Sequence, residues 1–135
     1  MERFVRNFII MSIVYLVLAA FLGVVMLADP SYMHLKFVHS HLNMLGWVSM
    51  MIYGVGYHIL PRFAGKKLKS VAMGEVQFYC ANIGLVGMLL FYALQMNAPG
   101  EPLYRTLTIL FGSAEVLSIF LFFYNMVSTL LSRES

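Results

Sequence analysis

The sequence predicts an all-α integral membrane protein: one domain over residues 1–135, built as an arc or bundle of four transmembrane helices with both termini cytoplasmic. Three observations predict it. The chain is 61% hydrophobic and only 11% charged over 135 residues. Soluble domains lie nearer half apolar and a quarter charged, so the surplus apolar surface must face lipid. Four apolar stretches are each long enough to cross a bilayer, which takes about 20 helical residues. Lys and Arg are also shared unevenly between the two ends of those stretches.

The helices are expected over residues 8–28, 37–60, 76–96 and 107–131. The breaks between them carry turn residues. Asp29-Pro30-Ser31 closes the first break, and Pro61-Arg62 is expected to end the second helix and open a basic loop. Asn97-Ala98-Pro99-Gly100-Glu101-Pro102 separates the third and fourth. Arg3 and Arg6 would suit a cleaved signal. The apolar run behind them is about twice the length of a signal core and lacks an A-x-A site, so it is expected to stay as a helix. Arg3, Arg6, Arg62, Lys66, Lys67, Lys69 and Arg133 fall on one side, Lys36 and Arg105 on the other. This excess places the termini and the 62–69 loop in the cytoplasm. His34, His39 and His41 then lie near the outer face. The net charge of +3 is not gathered into a basic patch with interleaved aromatics, so no nucleic-acid partner is expected. Cys80, the one cysteine, sits in an apolar segment and reads as a small hydrophobe without a disulfide partner.

The second stretch carries the chemistry. It holds His39, His41, Asn43, Gly46, Trp47, Ser49, Tyr53, Gly54, Gly56, Tyr57, His58, Pro61 and Arg62. Ionisable side chains at a helix entrance in lipid are unfavourable unless they are used. Residues two apart on an α-helix are rotated by about 200°, so His39 and His41 point to nearly opposite sides. They cannot chelate one metal together, as an i, i+4 pair could, but each can reach a separate neighbouring cavity at similar depth. Imidazole is a common axial ligand of haem iron. Gly46, seven residues from His39, falls on the His39 face, and its missing side chain would leave room for a flat porphyrin. Taken singly, each histidine reads equally well as a ring in the headgroups; the pair, its spacing and the small residues favour ligands.

His39-x-His41, then Gly46-Trp47, then a tyrosine, then Leu60-Pro61-Arg62 resembles the tenth helix of the haem–copper oxidase catalytic subunit. The resemblance is greatest to the high-affinity cytochrome oxidases and the nitric oxide reductases of that superfamily. It implies that His39 is the axial ligand of an active-site haem and His41 an axial ligand of a low-spin haem. More loosely, Gln77 to Gly84 resembles the family's eleventh helix. The resemblance is specific over residues 39–62. It implies that the whole chain corresponds to one four-helix arc, the last four of twelve helices, in the inner membrane of a prokaryote. The copper-binding histidines of that family lie on helices with no counterpart here. Haem b without copper is therefore implied, and oxygen reduction by this chain alone is not expected.

The other candidates are Glu115, about ten residues into the fourth helix and so about 15 Å deep, His58 and His34. A carboxyl at that depth is either proton-linked or a neutral acid bonded to Ser113, Ser118 or a neighbouring helix. His58 reads as an inner-interface residue and His34 as a solvated loop residue. Asn43 and Asn82 are expected to bond across helices, with Asn43 and Trp47 also lining the cofactor. The eleven Met are scattered and read as packing surface. The expected function is thus a b-type cytochrome for electron transfer, with haem held by His39 and His41. Binding or sensing of a diatomic gas such as nitric oxide, and a haem-free accessory role in a respiratory complex, remain as alternatives. A redox partner or a gas is then the expected partner, besides lipid and further copies of the chain. A ring of three copies would bury both faces of the ligand helix and pair His39 of one protomer with His41 of the next; a twofold dimer is the rival arrangement.

Overall fold

The protein was analysed as a computed structural model that describes residues 1–132; Arg133, one of the seven basic residues placed together above, lies outside the described residues. Every regular element among them is helical. Helix α1 runs Arg3–Ala28. Asp29 ends it and caps the next turn, its carboxylate accepting from the Ser31 N–H at 2.9 Å; this bond holds the Asp29 carboxyl below the usual carboxylate range. A 3-10 turn, Pro30–Leu35, leads into one continuous helical path over residues 36–63. Its three parts are α2, Lys36–His41, a π-helical segment, Leu42–Ser49, and α3, Met50–Phe63. Helices α4, Val71–Asn97, and α5, Pro102–Leu131, complete the chain. Helices α1, α4 and α5 are long and apolar enough to cross a membrane, and the chain is a membrane protein.

The helices overrun the expected limits, because apolar windows mark only the part that meets lipid. The backbone continues until a cap satisfies its free ends. At the start of α4 the Ser70 hydroxyl accepts from the Met73 N–H at 3.1 Å, five residues before the expected start. Pro61-Arg62 does not end the second helix. Pro61 sits in its last turn, and the helix closes around Gly65, whose φ of +66° suits the left-handed residue of a Schellman motif. The Gly65 N–H donates to the Arg62 carbonyl at 3.0 Å and the Lys66 N–H to the Pro61 carbonyl at 2.8 Å.

The most extensive pairing is the antiparallel hairpin of α4 with α5. Its closest approach is at Gly84, where a Cβ would lie 2.8 Å from the Glu115 backbone nitrogen and 3.0 Å from the Phe111 carbonyl oxygen. The second pairing lays α1 along the π segment and α3, with Phe8 and Ile9 filling the space over Gly54. Aromatic rings join the two pairs. Phe8 meets Phe78 edge-on at 5.1 Å between centroids, and Tyr57 meets Phe122 in the same way at 5.2 Å. Such pairs contribute about 0.5–1.5 kcal/mol beyond their buried area.

Polar bonds fix the end that holds the termini. The Asn125 side chain, fully buried, accepts from the Ser70 N–H at 3.1 Å and donates to the Ser70 carbonyl at 2.8 Å. Thr129 accepts from the Lys69 N–H at 2.9 Å. The Lys66 ammonium donates to the carbonyls of Leu130 and Ser132, both at 2.6 Å, which places a positive charge on the negative end of the α5 dipole.

The Gly84 contact is testable. Gly84→Ala places a methyl against backbone that cannot swing aside, and is expected to lower stability by about 1–3 kcal/mol, as overpacking does. Gly56→Ala meets the tip of the Phe122 ring at 3.4 Å and the end of Leu60 at 3.8 Å, both ordinary contacts, and should stay within about 0.5 kcal/mol of the parent. Unfolding curves in mixed detergent micelles check both, and equal losses would contradict the close approach.

Candidate functional site

His39 and His41 occupy the last turn of α2, ahead of the π segment. The His39 ring faces α1. Its Nδ1 lies 3.0 Å from the Ala19 carbonyl oxygen. A carbonyl can only accept, so Nδ1 carries the hydrogen, and in the neutral ring Nε2 holds the free lone pair. Gly23, one turn beyond Ala19, makes room for the ring: a Cβ there would sit 3.0 Å from His39 Cε1. His39 forms one wall of an open apolar groove with Ala20, Gly23, Val24, Leu27 and Met33.

His41 faces the other way. Its Nδ1 lies 2.9 Å from the Phe37 carbonyl oxygen of its own helix, so its Nε2 is likewise the free nitrogen of the neutral ring. The ring lies against Phe37, centroids 3.8 Å apart, and Phe37 stacks at 4.1 Å on Tyr92 of α4. A separate shallow groove beside it is lined by Ser40, Met44 and Leu45. The two imidazoles are therefore not brought together within the chain. Among the described residues no three His, Cys, Asp or Glu side chains converge as a metal cage.

The remaining candidates divide. Asn43 does not bond across helices; its amide donates to the His39 carbonyl at 3.0 Å, and lies 3.4 Å from His39 Nε2. Asn82 does bond across helices, accepting from the Tyr15 hydroxyl at 2.8 Å. Gly46 does not open onto the His39 groove: the Tyr15 ring covers it, 2.8 Å from where its Cβ would be. Gly46 and His39 both face α1, Gly46 against Tyr15 and His39 against Ala19 and Gly23, but the Tyr15 ring takes the space expected for a cofactor. Gly46 lies in the π segment, whose i→i+5 turn is wider than an α-helical one. The Ser49 hydroxyl follows the same wide turn, donating to the Met44 carbonyl at 2.8 Å. Trp47 stands on the outside, 37% exposed. His34 bonds the Ser31 carbonyl at 2.7 Å within the 3-10 turn, and His58 accepts from Arg62 at 2.9 Å at the far end.

Glu115 is 2% exposed, and neither of its oxygens has a hydrogen-bond partner. It bonds neither serine named above: the Ser113 hydroxyl donates to the Ile109 carbonyl at 2.9 Å, and the Ser118 hydroxyl is itself unpaired. The sequence reading missed the α1 wall of the site. Its signal was present as Tyr15, Ala19 and Gly23, four apart and hence on one helix face.

A curated relative, the cbb3-type cytochrome c oxidase subunit CcoN1 of Stutzerimonas stutzeri, is 28% identical across 61% of this chain and 19% of its own length. The chain thus spans about a fifth of the relative it matches. The similarity supports an origin related to the haem–copper oxidases. No family model matches the chain, and no solved structure matches it.

The α1 wall yields a prediction. Gly23→Val should push the His39 ring off the Ala19 carbonyl and leave His41 in place. Nitrogen-15 resonances of the ring nitrogens are expected to move for one histidine and hold for the other. Equal movement of both would mean that Gly23 does not set the His39 position.

Proposed function

We propose that the chain is a haem-binding membrane protein, holding haem b through the Nε2 atoms of His39 and His41. The carrying observation is that each imidazole commits Nδ1 to a backbone carbonyl, Ala19 for His39 and Phe37 for His41, and keeps its lone pair on Nε2, which at His39 meets the Asn43 amide at 3.4 Å. Ligating histidines are oriented in this way, because the bond at one nitrogen fixes the tautomer and raises the basicity of the other. A metal held by one or two imidazoles brings its remaining ligands with it, as a porphyrin does. The similarity to an oxidase subunit supports the same reading. The residues fit the group: His39 forms the wall of an open apolar groove, and Asn43 stands beside its Nε2. Haem, when bound, supplies one-electron redox chemistry. The chain's own residues orient the two imidazoles, hold their tautomers and keep the grooves apolar. Electron transfer is the proposed role. Binding of a diatomic gas is the second reading, favoured by the separation of the two histidines on opposite faces, which gives any one groove a single imidazole.

The composite helix over residues 36–63 is read as a fourth crossing, since residues 37–61 contain no Asp, Glu, Lys or Arg. The end bearing Arg3, Arg6, Arg62, Lys66, Lys67 and Lys69 is read as cytoplasmic, in the inner membrane of a prokaryote, with the histidines near the outer face. Three copies in a ring would bring His39 of one protomer towards His41 of the next, each interface closing around one haem.

The purified protein is expected to show a Soret band that survives in neither His39→Ala nor His41→Ala if the ligands are shared. A preparation from haem-replete cells that stays colourless after haem is added back would remove the reading. Carbon monoxide added to the reduced protein separates the two roles: an unchanged spectrum marks a six-coordinate, electron-transferring haem, and a shifted one marks an open position. Native mass measurement with the haem count distinguishes trimer, dimer and monomer.

A further inference from the structure

The interior holds a second group of polar side chains, away from the histidines and on different helices. Gln77 and Ser118 are fully buried and Glu115 is 2% exposed. All five of their side-chain polar atoms lack a hydrogen-bond partner. The α4–α5 interface strings these residues along its length, Gln77 lying two turns, about 10 Å, from Gly84. Gly84 lies against Glu115, and Ser70 bonds Asn125. Between those two anchors the antiparallel register sets Gln77 beside Ser118. Gln77 and Gly84 are seven apart, and Glu115 and Ser118 three apart, so each pair shares a helix face. The ionisable groups of other elements near enough to sense its charge are Tyr15 on α1, whose hydroxyl is given to Asn82, and Tyr53 on α3, which also neighbours Ser118. No Lys, Arg or His among the described residues bonds the Glu115 carboxyl.

An unpaired polar atom in a dry interior is strongly unfavourable, and an unpaired carboxylate far more so. Internal water alone satisfies hydrogen bonds but leaves the negative charge of a carboxylate uncompensated. The oxygens on offer, two from a carboxylate, one from an amide carbonyl and one from a hydroxyl, are hard donors of the kind that suit hard cations. With a single carboxylate, one positive charge balances the site. We propose that Glu115, Gln77 and Ser118 form an internal hydrated site for a monovalent cation, a proton or sodium, bound at the Glu115 carboxyl. The site is independent of the haem reading: it lies between α4 and α5 and uses neither histidine. Within lipid, ionisable residues that face the bundle interior are where ion and proton sites occur.

Infrared spectroscopy of the whole protein in lipid nanodiscs tests this without haem. Glu115 is the one buried acidic residue among those described, so a neutral-acid band at neutral pH is assigned to it, and Glu115→Gln assigns its carboxylate signal by loss. If the cation is a proton, the carbonyl-stretch band of a neutral carboxylic acid is present, shifts in D2O, and is indifferent to replacing choline chloride by sodium chloride. If the cation is sodium, the carboxylate bands shift with sodium at constant ionic strength, and the melting temperature rises saturably with sodium in the wild type but not in Glu115→Gln. Gln77→Leu or Ser118→Ala should alter whichever response is seen. A neutral-acid band that does not exchange in D2O, with no response to sodium, would overturn the proposal, as would responses that both neighbouring variants leave unchanged. Should Glu115→Gln fail to fold, the deuterium response of the wild type and the sodium response compared between the wild type, Gln77→Leu and Ser118→Ala decide.

Discussion

The arrangement at the histidine end depends on how closely α1 can lie against the composite helix. Side chains at positions 23, 46 or 54 would hold the helices apart: Gly23 admits the His39 ring, Gly46 admits Tyr15, and Gly54 admits Ile9 and Phe8. The close approach brings the Ala19 carbonyl within 3.0 Å of His39 Nδ1. It also carries the Tyr15 hydroxyl across to Asn82 on α4. One face of α1 thus orients an imidazole and ties the first pair of helices to the second. In a bilayer, where lipid is as apolar as the side chains, such small-residue contacts and interhelical bonds replace the hydrophobic drive that would assemble a soluble bundle.

One end of the molecule and its middle are built on different physics. At the end with the termini, backbone groups left over by helix ends are taken up by side chains: Asn125 serves both groups of Ser70, and Lys66 serves the last carbonyls of α5. These bonds sit at the margin of the apolar layer. In the middle, Gln77, Glu115 and Ser118 have no partners at all, although the helices around them are closely packed. A polar group so deep finds neither bulk water nor a backbone end.

Much of this was legible in the sequence. The apolar runs located each helical stretch, because a membrane span must satisfy its own backbone and show apolar side chains to lipid. The opposed directions of His39 and His41 followed from their two-residue spacing, which lies wholly inside α2 and so obeys α-helical rotation. Helix ends were less legible. Pro61 read as a terminus, but a proline removes only its own bond to the preceding turn, and the chain runs on to close around Gly65. The space expected beside Gly46 failed for a different reason: which side chain fills the gap a glycine leaves is decided by the neighbouring helix, here by Tyr15 of α1. The Gln77–Ser118 neighbourhood was beyond a sequence reading because it depends on the register between two helices, which Gly84 and Asn125 set together.

The π segment has a consequence for how the two halves of its helix relate. A regular helix transmits angle faithfully, so the heading of one residue determines that of every other. Leu42–Ser49 interrupts that transmission and acts as a coupling between two shafts. The histidine half takes its heading from α1 through Ala19 and Gly23, while the tyrosine half takes its own from Phe8 and Phe122. Tightening the segment to an ordinary α-helical pitch would leave both halves intact yet turn one against the other. The two headings could then no longer be satisfied at once.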